Sequence, residues 1–179
     1  MPDMPAKADI PASVSHSKGG KSIVDIFVMS RAQAVRFSRQ PHEIESIMIS
    51  ISDPNMLYHS RPIRNNGINK NRIREILRLE FSDADKPGLD VYGRKTGEDT
   101  LISTADAVAI RELLERHPDV QCLIVHCDAG ISRSSSVAAA IMKAKTGDDS
   151  PIFDSGRYQP NMLCYRRVLE ELMTHGDTL

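Results

Sequence analysis

Residues 121–134 read Gln-Cys-Leu-Ile-Val-His-Cys-Asp-Ala-Gly-Ile-Ser-Arg-Ser, and this stretch decides the fold. Its first half, QCLIVHC (121–127), is a short apolar run suited to a central strand buried on both faces. Gly130 marks a turn, and SSSVAAAIMKAKTG (134–147) reads as a helix that stops at Gly147. A buried strand, a glycine-containing turn and a helix start bring Cys127 to the C-terminal edge of a sheet, where α/β folds bind their ligands.

The pattern continues on both sides. SIVDIFVM (22–29), ESIMISI (45–51) and EILRLEF (75–81) are further strand candidates, the first two rich in β-branched residues. SRAQAVRFSRQ reads as a short helix stopped at Pro41. STADAVAIRELLERHP (103–118) is a helix with Ser103 or Thr104 as cap, Pro118 as stop and an apolar stripe of Val108, Ile110, Leu113 and Leu114. NMLCYRRVLEELMTHG (161–176) sets Met162, Tyr165, Leu169 and Leu172 on one face as core packing. Strands alternating with helices predict an α/β fold with a central, partly parallel sheet of about four to five strands flanked by helices. Residues 1–20, with their prolines, glycines, serines and lysines, read as a flexible N-terminal tail, an extended packed arm being the alternative. Residues 21–179 form a single domain.

Composition narrows the function classes. The 179 residues carry 23 basic and 24 acidic side chains, a net charge of −1, which argues against a general nucleic-acid binder. Four Tyr, four Phe and no Trp leave no base-stacking platform. The longest apolar run, Val137 to Met142, is too short to cross a bilayer, and the N-terminus lacks the apolar core of a secretory signal. Three cysteines do not make a disulfide framework and fit reduced thiols in the cytoplasm. The stretch HSRPIRNNGINKNRIR (59–74) is basic; a solvated connecting loop is favoured over a surface that steers acidic substrates.

The chemistry lies in the turn after Cys127. Consecutive backbone N–H groups, joined by a helix N-terminus, converge there into a cradle for a tetrahedral phosphate. The same field favours the thiolate of a cysteine held at its centre. Arg133, after the chain has wrapped round, can grip two phosphate oxygens with its planar fork. The Ser134 hydroxyl can donate to the sulfur and improve it as a leaving group. His126 reads as a buried residue that hydrogen-bonds the loop and orients Cys127; Cys122 and Cys164 read as core thiols.

Cys-x5-Arg alone is weakly specific, but His-Cys-x-x-Gly-x-x-Arg-Ser on a strand–turn–helix is restrictive. The pattern resembles the cysteine-dependent protein tyrosine phosphatase superfamily, and AGISRS (129–134) is more similar to its dual-specificity branch than to its tyrosine-specific one. The resemblance is carried by residues 120–142, with weaker echoes in LRLEFSD (77–83) and in Pro160-Asn161. It implies a protein-tyrosine-phosphatase-like fold with Cys127 as nucleophile through a cysteinyl-phosphate. It also implies substrate binding by the loop Asp128, Ala129, Gly130, Ile131, Ser132, Arg133 and Ser134, with Arg133 stabilising the transition state. An aspartate on another loop acts as general acid and then base. Asp83 ranks ahead of Asp85 for that role because the acid follows its strand directly in the family; Asp90 and Asp99, in the long insert KPGLDVYGRKTGED (86–99), are the fallbacks. The resemblance requires no metal and no cofactor.

The expected activity is that of a tyrosine or dual-specificity protein phosphatase whose partners are phosphorylated proteins or peptides. Phosphate and vanadate are the expected site ligands, with no nucleic acid and no membrane partner. The alternatives are the same chemistry on a phosphoinositide, an RNA 5′-phosphate or a metabolite, and a non-catalytic phosphate-binding module. A loop with Asp128 and no lysine counts against a polyanionic substrate.

Overall fold

The computed structural model describes residues 14–15, 25–39, 44–54, 72–89 and 93–175. In chain order the elements are β1 (Val14–Ser15), β2 (Asp25–Ser30), α1 (Arg31–Arg39), β3 (Ser46–Ser52), β4 (Ile73–Glu80), β5 (Gly88–Leu89) and β6 (Lys95–Thr96). They continue with α2 (Thr104–Arg116), β7 (Cys122–Cys127), α3 (Arg133–Thr146), α4 (Ser150–Phe153) and α5 (Met162–His175).

The main sheet has the order β1-β2-β7-β3-β4. β2, β7, β3 and β4 run parallel, while β1 pairs antiparallel with β2 through Val14↔Ile26 and Ser15↔Asp25. The expected α/β architecture is therefore present, its sheet parallel except at one edge. β1 falls inside the segment read as a tail and matches the extended-arm alternative; the rest of residues 1–20 lies outside the described residues.

The apolar run CLIVHC is buried along its whole length because both faces of β7 are covered. Alternation of side chains divides the core. Leu123, Val125 and Cys127 face α2, α3, α4 and α5, whereas Cys122 and Ile124 join Phe27, Met29 and Ala34 on the side covered by α1. β3 is likewise buried throughout, while β4, at the sheet edge, alternates buried Ile73 and Leu79 with exposed Arg74, Arg78 and Glu80. Charged side chains on such an edge discourage pairing with another chain.

Ser103 caps α2 in a capping box: its hydroxyl accepts from the Asp106 amide, and the Asp106 carboxylate accepts from the Ser103 amide. A cap of this kind is worth about 1 kcal/mol. Two helix faces differ from expectation. On α2 the buried set is Ala107, Ile110, Leu113 and Leu114, with Val108 only half-buried. On α5 the buried line is Cys164, Val168 and Leu172 with Glu171, while Met162 is exposed and Tyr165 and Leu169 flank the core. The reason is size. Small residues occupy the lines of closest helix approach, as where Cys164 Sγ lies 3.9 Å from the Arg133 carbonyl, and size-blind pattern reading favours the larger neighbour. Glu171 is tolerated inside because Arg111 Nε donates to its Oε1 at 2.8 Å.

The insert 86–99 carries an antiparallel ribbon, β5 with β6, followed by a 3₁₀ turn at Glu98–Thr100. Most of the basic stretch 59–74 lies outside the described residues; Arg74, at its end, pairs with Asp119 and Glu45. Among the described residues, no helix is long and apolar enough to cross a membrane.

Candidate functional site

The site forms at the C-terminal edge of the parallel strands. β7 delivers Cys127, the chain turns through residues 128–132, and α3 starts at Arg133. Gly130 makes the turn possible. Its φ is +71°, and a Cβ there would lie 2.5 Å from the Ser30 amide nitrogen and 2.6 Å from the Met29 carbonyl carbon. No side chain fits, because the loop is pressed onto the backbone end of β2. The Arg31 amide donates to the Asp128 carbonyl at 3.0 Å and fastens the same junction.

The loop's carbonyls are tied outward. Ile131 O accepts from the Gln159 amide at 3.1 Å, and Ser132 O from the Ser136 amide at 3.0 Å. The Ser135 hydroxyl lies 2.6 Å from Ile131 O, and that of Ser136 donates to Ser132 O at 2.8 Å. Among the described residues, the protein offers no acceptor to the amides of Ala129 through Arg133. Ser132 has the position of an N-cap for α3 but makes no side-chain cap; its hydroxyl donates to Asp83 Oδ1 at 2.7 Å. The donors of the helix start therefore remain available, the arrangement that binds anions at helix N-termini.

Cys127 is buried with its Sγ 3.2 Å from Ser134 Oγ. His126, on the opposite face of β7, lies with Nδ1 3.4 Å from the Cys127 carbonyl and Nε2 2.8 Å from Ser50 Oγ. A carbonyl can only accept, so Nδ1 carries the proton and Nε2 accepts from Ser50. Burial, with the charges of Arg31 and Arg133 adding to it, pushes the imidazole down to about 4, so His126 is neutral and serves as a structural tie under Cys127.

Arg133 is 4% exposed. Its Nη1 donates both hydrogens, to Asp53 Oδ1 at 2.7 Å and to the Phe81 carbonyl at 2.8 Å. Its Nε is buried and, among the described residues, has no hydrogen-bond partner; Asp83 Oδ2 stands 4.0 Å away. One edge of the guanidinium is thus fixed by the protein, and the Nε edge keeps an unmatched donor.

The two aspartates after β4 have separate places. Asp83 Oδ1 accepts from Ser132 Oγ and, at 3.2 Å, from Asn161 Nδ2, which sets Asp83 against the loop. Asp85 instead caps α5: its Oδ1 accepts from the Leu163 amide at 2.8 Å, beside Asn161, whose Oδ1 accepts from the Cys164 amide at 2.8 Å. Asp99 sits in the 3₁₀ turn, and Asp90 lies outside the described residues.

Cys127, the loop 128–132, Arg133, Ser134 and Asp83 come together in the structure. Sequence reasoning missed Asp53, Arg94, which donates from Nη2 to Asp53 Oδ2 at 3.2 Å, and Asn161 as a contact of Asp83. Asp53 alone carried a legible signal, an acid directly after β3, one of the parallel strands from whose ends such sheets recruit site residues. Among the described residues, no group of three or more His, Cys, Asp or Glu side chains is arranged to hold a metal.

No protein-family model matches the sequence, and no curated protein matches it. Solved structures resemble it in chain path. PTPMT1 in complex with PI(5)P has 15% identity and a TM-score of 0.49, covering 85% of this chain and 90% of that one. Tk-PTP in the active form has 16% identity and a TM-score of 0.49, covering 88% of this chain and 94% of that one. The human tyrosine phosphatase-like serine/threonine/tyrosine-interacting protein has 15% identity and a TM-score of 0.49, covering 81% of this chain and 89% of that one.

Proposed function

We propose that this protein is a cysteine-dependent phosphatase that hydrolyses phosphomonoesters on phosphorylated proteins, with tyrosine or dual specificity, in the cytoplasm. The observation that carries the reading is Arg133. A buried guanidinium with Nη1 doubly anchored and Nε without a hydrogen-bond partner among the described residues, beside a loop whose amides from Ala129 to Arg133 lack acceptors among them, suits a tetrahedral oxyanion. Cys127 stands at the base of this loop.

In the first half-reaction, the Cys127 sulfur attacks phosphorus in line with the ester oxygen. An S–P bond forms, the P–O bond breaks, and Asp83 gives its proton to the departing oxygen. In the second, the Asp83 carboxylate takes a proton from water as the water oxygen attacks phosphorus. The S–P bond breaks, releasing inorganic phosphate and the thiolate, which the Ser134 hydroxyl stabilises by hydrogen bonding. The loop amides and Arg133 hold the three equatorial oxygens, over which the charge of the transferring group is spread. Asp128 and the absence of lysine in the loop favour a single phosphate on a protein over a polyphosphorylated headgroup.

The test is Cys127→Ser. Turnover of p-nitrophenyl phosphate should fall by at least about 10⁴-fold, the scale of losing a nucleophile, while tungstate still binds, because the cradle is mostly backbone. Wild-type turnover should be the same with and without EDTA. Turnover retained in the serine variant, or lost on chelation, overturns the mechanism.

A further inference from the structure

Asp53 follows the last residue of β3 and is 4% exposed. Its two oxygens serve two arginines: Oδ1 accepts from Arg133 Nη1 at 2.7 Å, and Oδ2 accepts from Arg94 Nη2 at 3.2 Å. Arg94 belongs to the insert 86–99 and immediately precedes β6, so this contact joins the insert to the floor of the phosphate cradle.

We propose that Arg94 is a positioning residue that sets the orientation and effective charge of Arg133 through Asp53; the proposal rests on the phosphatase reading. The first reason is geometric. A carboxylate held through one oxygen can still rotate about its Cβ–Cγ bond and carry its partner with it. Arg94 on the second oxygen removes that rotation, and the Phe81 carbonyl fixes the remaining Nη1 hydrogen. The second reason is electrostatic. Asp53 alone would cancel the charge that Arg133 presents to an incoming phosphate dianion. Arg94, on the other oxygen of Asp53, offsets part of that cancellation. The relay also makes the seating of the insert a condition for full oxyanion affinity.

The experiment is a double-mutant cycle. kcat/KM for p-nitrophenyl phosphate and the inhibition constant of tungstate are measured for the wild type, Arg94→Ala, Asp53→Asn and the double variant. The good leaving group keeps Asp83 out of the comparison. Arg94→Ala should weaken both quantities about tenfold, the scale of one charge-assisted hydrogen bond. The double variant should be no worse than Asp53→Asn alone, because the route from Arg94 to Arg133 runs through Asp53. Arg94→Lys, which restores the charge without the fork, should recover part of the loss. A merely structural Arg94 would move the melting temperature without this dependence on Asp53.

Losses that multiply in the double variant, or an Arg94→Ala protein equal to wild type, overturn the proposal. If Asp53→Asn does not fold, the series wild type, Arg94→Lys, Arg94→Gln decides: a graded decline supports the relay and a flat series refutes it. If the wild type binds tungstate with this same cycle yet turns over no phosphate ester, the hydrolase reading fails and the relay stands. A wild type that binds no tungstate overturns both.

Discussion

Two walls face each other across the site, and they are built differently. One is a contiguous stretch, residues 127–134, in which backbone amides are the working groups and β2, β7 and α3 fix their directions. The other is assembled from side chains far apart in sequence: Asp53 after β3, Asp83 after β4, Arg94 beside β6 and Asn161 before α5. The first wall is insensitive to most side-chain changes because its donors belong to every residue alike. The second can be dismantled one residue at a time, and each removal should leave a distinct kinetic mark.

The largest mark should come from Asp83. Asp83→Asn should cost about 10³-fold on alkyl and peptide phosphates, within the range of general acid catalysis, and far less on p-nitrophenyl phosphate, whose leaving group needs no proton. Asp85→Asn keeps an acceptor for the Leu163 amide and should produce only a small, uniform change. The measurement is kcat/KM across phenyl phosphates of graded leaving-group pKa. A steep new dependence in the Asp85 variant alone would exchange the roles of the two residues.

Arg133 is where the walls meet, and Arg133→Lys separates charge from shape. Lysine keeps the positive charge but cannot satisfy Asp53, the Phe81 carbonyl and an oxyanion from one planar group. A loss of about 10²-fold in kcat/KM is expected, the size of one preorganised oxyanion donor. A lysine variant close to wild type would mean that bulk charge suffices.

The smallest effect tests the one point where the backbone wall depends on residue identity. Gly130 and Gly147 have nearly the same left-handed φ, +71° and +76°, but a Cβ meets β2 backbone at the first and open space at the second. Gly147→Ala should cost about 1 kcal/mol, the price of the conformation alone. Gly130→Ala should cost at least about 2 kcal/mol more, because backbone must shift. Equal costs by denaturant unfolding would show that the loop is not pressed against β2.

The same division explains what the sequence reveals. The parallel sheet was legible because strands covered on both faces leave continuous apolar runs such as CLIV, and the cradle because its donors follow one another along the chain. Asp83 drew notice from its place after a strand, and the structure sets it against the loop. The pairing of Asp53 with Arg94 was hidden because an ion pair between distant segments leaves no periodicity; Asp53 showed only as an acid directly after β3, and Arg94 sits among ordinary polar loop residues. Val108 and Met162 misled because hydrophobicity marks a helix face only to within a residue or so, whereas the packing line follows small side chains.

The position of β7 between β2 and β3 has a consequence for how the protein comes into being. Cys122 pairs with both Asp25 and Ser46, so the central strand finds its neighbours only when the C-terminal half of the chain meets the N-terminal half. Contacts so remote in sequence close late in folding. The loop 128–132, clamped to the end of β2, belongs to that last step. A nascent or partly opened chain therefore lacks the arrangement around Cys127, which appears only with the finished sheet.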